Sequence, residues 1–390
     1  MATAALAAIP LALLGPAVGS SQAAVVHQAT AHSCATVKPG FAACKALVRT
    51  DVVAVQKAAS PNATPSGYGP ASLQSAYNLP SATAGAGRTV AIVDAYDDPT
   101  AEADLAVYRS QFGLPACTTA NGCFKKIDQT GGTTYPKKDG GWAQEISLDI
   151  DMVSAICPNC HILLVEAKSS SFANLGAAVN RAAATAGVVA ISNSYGGSDA
   201  ADSTYGSYYN HPGIAVTASS GDSGYGASYP ASSHYVTAVG GTTLNTASNS
   251  RGWTETAWSG AGSGCSSYNT ALTSAASFST GCSKRAEADV SAVANPSTGV
   301  AVYDSTAYQG LSGWLVFGGT SVASPVIASV YGLAGNTASI DNNYPYTHSS
   351  SLWDVTSGSN GSCPTSQWCN ARVGWDGPTG LGTPNGIGAF

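Results

Sequence analysis

Gly318-Gly319-Thr320-Ser321-Val322-Ala323-Ser324-Pro325 decides the reading of this chain. It follows a short apolar run, Trp314 to Phe317, and opens a helical pattern of Val326, Ile327, Val330 and Leu333. The glycines permit a tight turn, and Ser321 then stands at a helix N-terminus, where backbone N–H groups can hold an oxyanion. Such a position suits a nucleophile. It also suits an ordinary capping serine at a βα turn.

Outward from that stretch, apolar β-prone runs alternate with helical patterns. Thr89 to Val93 reads as a strand, and Leu105, Tyr108 and Phe112 then share a helical face. Ile162 to Val165 is a second strand, and Phe172, Leu175, Val179 and Ala182 repeat at helical spacing up to Gly187. Val188 to Ile191, Gly213 to Ala218 and Tyr235 to Val239 continue the series. Alternation of this kind predicts an α/β domain, a mainly parallel sheet covered by helices. Residues from about Asn245 to Ser283 break the rhythm, being polar, rich in Gly and Ser and bracketed by Cys265 and Cys282, and read as a surface insertion.

The length of 390 residues suits one large catalytic domain plus a leader. Residues 1–24 lack charge, carry an apolar run from Ala4 to Leu14 and end in small residues, a pattern like a secretory signal without its basic region. From Val25 to about Ser66 the chain is rich in Ala, Thr and Ser and reads as a short pro-segment or linker; the domain then runs from 67 to 390. Sixteen basic and 22 acidic residues give a net charge of −6, so no basic field exists to hold nucleic acid or an anionic membrane. No other apolar stretch approaches the roughly 20 residues of a membrane span. Ten cysteines fall as five local couples, Cys34/Cys44, Cys117/Cys123, Cys157/Cys160, Cys265/Cys282 and Cys363/Cys369, which suits disulfides in an oxidising compartment. Cys157-Pro-Asn-Cys160 has no second such pair to complete a zinc site. The expectation is a secreted monomer.

A serine nucleophile needs a base. None of the six histidines, at 27, 32, 161, 211, 234 and 348, lies in a Gly-rich, helix-opening context. Carboxylates offer another route in Trp142-Ala143-Gln144-Glu145-Ile146-Ser147-Leu148-Asp149, where Glu145 and Asp149 are four apart and share one helix face. Two acids packed together raise the pKa of one, which then suits proton transfer at acidic pH; a solvated acidic face is the plainer alternative. Asp222, in Ser219-Ser220-Gly221-Asp222-Ser223-Gly224, follows a strand end where a protonated carboxyl can donate to an oxyanion. Gly-Asp-Ser-Gly also surrounds trypsin-like nucleophiles, but the residues that follow here differ. Asp354-Val355 and Gly374-Trp375-Asp376 combine two carboxylates with turn carbonyls, an all-oxygen set of the kind calcium prefers or a pair of turn-forming aspartates.

From about Gly67 to Phe390 these segments together resemble the sedolisin family of serine-carboxyl peptidases, including kumamolisins and tripeptidyl peptidases. The resemblance rests on Glu145-x-x-x-Asp149, Ser220 to Gly224, Tyr229-Pro230-Ala231-Ser232 leading to Thr237 to Thr242, Gly319-Thr320-Ser321, and Asp354-Val355 with Gly374-Trp375-Asp376. It implies a subtilisin-like fold, helices on both faces of the sheet, and a secreted enzyme that hydrolyses polypeptides at acidic pH. It implies Ser321 as nucleophile, Glu145 as base and then acid, Asp149 as the residue orienting Glu145, and Asp222 as the oxyanion acid. Calcium would take the carboxylates of Asp354 and Asp376 and the carbonyls of Val355, Arg372 and Gly374; relatives usually have Gly at the position of Arg372. Asp94 lies where relatives often have Glu and subtilisins their catalytic Asp, and reads as a supporting residue. Tyr195 stands where many relatives have Trp. The segment 25–66 is far shorter than the folded propeptide many relatives carry. Two other readings stand beside this one: a subtilisin-type triad using Asp94 and Ser321, and an inactive secreted binding module.

Overall fold

The computed structural model describes residues 1–4, 29–52, 65–336 and 341–390. The expected leader, at 1–24, therefore lies almost wholly outside the described residues. The core of the molecule is an eight-stranded sheet. Its strands are β4 (Thr89–Ala95), β5 (Phe124–Asp128), β6 (His161–Ala167), β7 (Val188–Asn193), β9 (Ala215–Ser219), β11 (Thr237–Thr246), β12 (Trp253–Ala257) and β15 (Val290–Val293). They run in the order β12-β11-β9-β7-β4-β6-β5, with β15 on β11, and all pairs are parallel except β11 with β12.

β-Strand alternation sends successive side chains to opposite faces, and β4 shows it: Val90 and Ile92 join one buried cluster, Ala91 and Val93 the other. The first cluster is covered by α1 (Pro70–Ala76), α2 (Ala101–Gln111), α3 (Gly140–Ile156) and α6 (Thr320–Ala334). The second is covered by α4 (Phe172–Ala183), whose Phe172, Leu175, Val179 and Ala182 point inward as their spacing predicts. A short helix, α5 (Asp202–Tyr205), lies beyond it. Strand β4 has β6 on one side and β7 on the other, so the connections diverge there, and the crevice at the strands' carboxyl ends is where α/β sheets place ligands.

Two features depart from the periodicity. The stretch from Asn245 to Ser283 is not only a surface insertion. It supplies β12 to the main sheet and buries Trp253, Trp258 and Leu272. Single large apolar residues spaced among Ser and Gly carry no period, and so leave no strand signal. The run before Ser321 is β17 (Leu311–Gly318), paired antiparallel with β16 (Val300–Tyr308) in a separate sheet. Residues 29–52 join that sheet through β1 (Thr30–His32) and β3 (Leu47–Arg49), and β2 (Ala43–Cys44) pairs with β8 (Tyr195–Ser198). Strand β8 also pairs with β10 (Ser228–Tyr229), and β13 (Gly264–Cys265) with β14 (Ala286–Glu287). All five cysteine couples are disulfides. Among the described residues no helix is long and apolar enough to cross a membrane.

Candidate active site

Helix α6 begins at a turn that only glycine adopts without strain. Gly319 has φ +93°, and a Cβ there would collide with the Lys45 carbonyl and stand 2.9 Å from Asp222 Oδ2. The turn puts Ser321 in the first helical turn, fully buried, with its Oγ donating to the Ser194 carbonyl at 3.2 Å.

Helix α3 is capped by Asp139, whose carboxylate accepts from the amides of Gly141 and Trp142 at 3.1 Å. It is buried on every side from Gly141 to Ile156, so the acids at 145 and 149 do not form a solvated face. Both oxygens of Glu145 lack a hydrogen-bond partner among the described residues. Burial pushes Glu145 well above the ordinary range and the nearby Asp94 charge pushes it further, while the Ser321 hydroxyl and the Ala46 amide favour its anion. That Ser321 hydroxyl is nevertheless aimed at Ser194, so the proton is not yet directed at the carboxylate. Asp149 is raised by burial and by Asp94 and Glu145, and accepts from the Ser194 hydroxyl at 2.8 Å.

Asp94, at the carboxyl end of β4, is wholly buried with neither oxygen hydrogen-bonded among the described residues, and burial raises it to about 8. Asp222, just past β9, accepts through Oδ1 from the Thr320 amide at 2.7 Å and its hydroxyl at 2.8 Å, and its Oδ2 has no hydrogen-bond partner among the described residues. Burial raises Asp222, against the pull of Lys45. Thus Ser321, Glu145, Asp149, Asp222 and Asp94 meet in one buried group from four places in the chain. Carboxyls that cannot all ionise in so little solvent will hold protons between them, which suits acid–base chemistry. No histidine bonds to Ser321 among the described residues; His32 lies in the adjoining cavity of about 390 Å³ beside Asp222. A larger cavity of about 610 Å³, lined in part by His211, Tyr331 and Tyr344, contains none of these residues.

The chain is 29% identical to kumamolisin of Bacillus sp. strain MN-32 over 85% of its length, and 27% identical to sedolisin of Pseudomonas sp. strain 101 over 82%. Its fold matches the structure of Pseudomonas sedolisin, a serine-carboxyl proteinase in complex with pseudo-iodotyrostatin, with TM-score 0.68 and 27% identity over 83% of this chain and 96% of that one. The chain is homologous to kumamolisin and sedolisin. It spans 64% and 60% of the length of those two curated relatives. Sphericase, at 20% identity and TM-score 0.52, shares the fold, and no family model matches.

In this sedolisin homologue the C-terminal acids lie apart from Ser321's group. Asp354 accepts from the Gly374 amide at 2.9 Å, and Asp376 from the Arg372 amide at 3.1 Å and the Thr379 hydroxyl at 2.8 Å. Asp376 is buried and raised to about 7, mainly by burial, with the Asp354 charge adding to it, so the two carboxylates are neighbours. Val355 is buried and Arg372 exposed. Five residues escaped the sequence reading. Ser194 links Asp149 to Ser321, and nothing local marks a serine between β7 and β8 as a linker. Lys45 reaches the site from a segment with no chemical motif. Asp98, Asp104 and Asp304 bring carboxylate oxygens within 4.8 Å of one another, although some 200 residues separate the last from the others.

Proposed function

We propose that this chain is a serine-carboxyl peptidase that hydrolyses peptide bonds of polypeptides at acidic pH through an acyl-enzyme. The observation that carries the reading is the convergence of Ser321 with Glu145, Asp149 and Asp222 in one buried group, with no imidazole bonded to Ser321 among the described residues. Homology to kumamolisin and sedolisin supports it.

In the first step Ser321 Oγ adds to the substrate carbonyl and its proton passes to Glu145, whose affinity for a proton burial has raised. The oxyanion that forms accepts from the Ser321 amide and from protonated Asp222 Oδ2. Asp222 suits that role because burial favours its neutral form and Thr320 holds its other oxygen. Glu145 then returns the proton to the leaving amine, and water releases the acyl group by the same steps in reverse. Asp149 and Asp94 hold Glu145 in a field of carboxyls, so its charge depends on theirs. This arrangement works where protons are available, hence the acidic preference.

Calcium fits the C-terminal acids as a stabilising ion. Asp354 and Asp376 with the carbonyls of Val355, Arg372 and Gly374 make a hard oxygen set, and two adjacent carboxylates, one buried, are relieved by a cation. Five disulfides support an oxidising, extracellular location for a protein that acts as a monomer, with a domain from 67 to 390 preceded by a pro-segment.

The test is the rate of casein cleavage across acid, neutral and alkaline pH for the protein, Ser321→Ala and Glu145→Gln. An acidic optimum abolished by both substitutions is expected. An optimum that survives Glu145→Gln would restore a histidine-based triad, and a folded protein without cleavage would favour a binding module.

A further inference from the structure

We propose that Asp98, Asp104 and Asp304 hold a calcium ion between them, at a site enclosed in the fold beside the helix that carries Glu145 and Asp149. This site stands apart from the C-terminal acids and does not depend on the peptidase reading.

The three acids come from different elements. Asp98 follows β4, Asp104 lies in the first turn of α2, and Asp304 lies in β16. They are 0%, 2% and 0% exposed, and one carboxylate oxygen from each lies within 4.8 Å of the other two. Calcium binds oxygen at about 2.3–2.6 Å, so ligands on opposite sides of one ion stand up to about 5 Å apart. The three oxygens are spaced for such an ion.

Their other bonds leave this charge uncompensated. Asp98 Oδ1 accepts from the Thr100 amide and hydroxyl, both at 3.0 Å. Asp104 Oδ2 accepts from the Ser305 amide at 2.9 Å and its hydroxyl at 3.0 Å, and Asp304 Oδ1 from the Thr306 amide at 2.7 Å. All of these donors are neutral. Lys126 is spent on Asp97, Glu166 and the Asp98 carbonyl, and Arg109 on the carbonyls of Pro115 and Pro158 and the Ser154 hydroxyl. Lys138 is exposed, and no lysine or arginine forms an ion pair with any of the three among the described residues. Buried charge is costly unless it is paired or coordinates a metal.

Two buried oxygens point to a ligand. Asp304 Oδ2 has no hydrogen-bond partner among the described residues and lies beside the charges of Asp98 and Asp104. Asp151, fully buried on α3, accepts from the Tyr303 amide through Oδ2 at 3.0 Å, while its Oδ1 has no partner among the described residues and stands near the charges of Asp104 and Asp304. A fourth carboxylate thus reaches the same place from a fourth element. The surrounding hydroxyls are those of Thr100, Thr306 and Ser147, the last donating to Asp98 Oδ2 at 3.3 Å. A group of oxygens without imidazole or thiolate selects a hard cation over zinc or copper. Magnesium keeps several waters, for which so enclosed a group has no room, and calcium takes protein oxygens directly.

The ion ties the end of β4, the first turn of α2 and β16 together and, through Ser147, steadies the helix on which Glu145 and Asp149 stand. Enclosure sets it apart from the C-terminal set, where Asp354 is exposed. An ion held by groups at most 2% exposed leaves only when the fold opens around it. A chelator therefore empties the C-terminal set and spares this one.

Ser321→Ala, used to preclude digestion by Ser321, is to be prepared with calcium present and dialysed at neutral pH against EDTA, and its calcium then counted by elemental mass spectrometry. The same count is made with Asp376→Asn, Asp304→Asn or Asp104→Asn added, a cooperative melting curve showing that each is folded. One calcium per chain is expected to remain in Ser321→Ala and in the Asp376→Asn combination, and to be lost from the Asp304→Asn and Asp104→Asn combinations. A parent that retains none overturns the inference and leaves protons as what these carboxyls hold. Calcium that disappears with Asp376→Asn, or that survives either Asp304→Asn or Asp104→Asn, overturns it as well. The counts on Ser321→Ala and its Asp376→Asn combination decide the matter even where a substitution in the buried cluster prevents folding.

Discussion

Ser194 is bound to Asp149 by a hydrogen bond of 2.8 Å from its hydroxyl, while its carbonyl receives the hydroxyl of Ser321 at 3.2 Å. One residue therefore holds both Asp149 and Ser321. Ser194→Ala removes the bond to Asp149 and the longer one that the same hydroxyl makes to the Ser321 carbonyl at 3.4 Å, and leaves the bond that the Ser194 carbonyl accepts from Ser321 Oγ. A hydrogen bond to a charged or partly charged carboxyl is worth about 1.5–3 kcal/mol, so kcat should fall by roughly ten- to a hundredfold with KM little changed. Steady-state kinetics on a peptide substrate, with a melting curve as control for folding, check this. An unchanged kcat would mean that Asp149 needs no orienting partner.

Gly319→Ala should disable the site while sparing most of the fold. The residue would adopt a left-handed φ of +93° and drive its Cβ into the Lys45 carbonyl and toward Asp222. Strain of this kind costs about 1–3 kcal/mol, and displacement of reacting groups by about an ångström costs on the order of a hundredfold in rate. Casein cleavage should therefore fall by at least that factor, with a modest loss in Tm. Activity within a few-fold of the unaltered protein would show that the turn has room to adjust.

Stability should be greatest in acid. Glu145, Asp149, Asp94 and Asp222 all have raised values, first because of burial. The folded state thus binds their protons more tightly than the unfolded chain does. This contribution is complete below the ordinary value of 3.8 for the aspartates and is lost as pH rises through the folded values, about 8 for Asp94. Asp128, lowered chiefly by the Thr130 hydroxyl, and Asp51, lowered chiefly by its hydrogen bond from Arg49, work in the opposite sense but are outnumbered by the carboxyls that burial raises. Tm of Ser321→Ala, chosen because the proposed mechanism leaves it unable to digest itself, should fall between about pH 4 and about pH 8. A rise over that window would contradict the burial argument.

Arg285 and Asp289 form an ion pair whose side chains are 1% and 0% exposed. Asp289 also accepts from the Ala238 amide at 2.7 Å and the Tyr346 hydroxyl at 2.7 Å, tying β11 to the segment after α6. Asp289→Ala leaves a buried guanidinium and two donors without their acceptor. Loss of roughly 3–5 kcal/mol is expected, read by denaturant unfolding. A loss near zero would mean that water enters to replace the carboxylate.

A chelator should lower the Tm of the unaltered protein and leave Asp376→Asn unmoved, with added calcium restoring the former. The reason is that Asp354 and Asp376 are neighbouring carboxylates whose mutual repulsion a cation removes. An identical melting curve with and without chelator would dispose of the calcium site.

The alternating pattern of strands and helices was legible in the sequence because hydrophobic period is local. β4, β6, α4 and β7 stand within a few residues of where their spacing puts them. Glu145, Asp149, Asp222 and Ser321 could be singled out as candidates too, since each sits in a short motif tied to a strand end or a helix turn, and the fold brings them together. What no local pattern carries is proximity across the chain. The burial of both faces of α3, which makes its acids a protonated pair and not a solvated face, depends on α6 and β16 packing over it. Ser194 acts as a linker, and β12 completes the sheet, only because the fold brings distant partners to them. Lys45 meets Ser321 across 276 positions for the same reason: main-chain hydrogen bonds between strand edges accept almost any side chain, so the pairing that places Lys45 at the site leaves no mark on its composition.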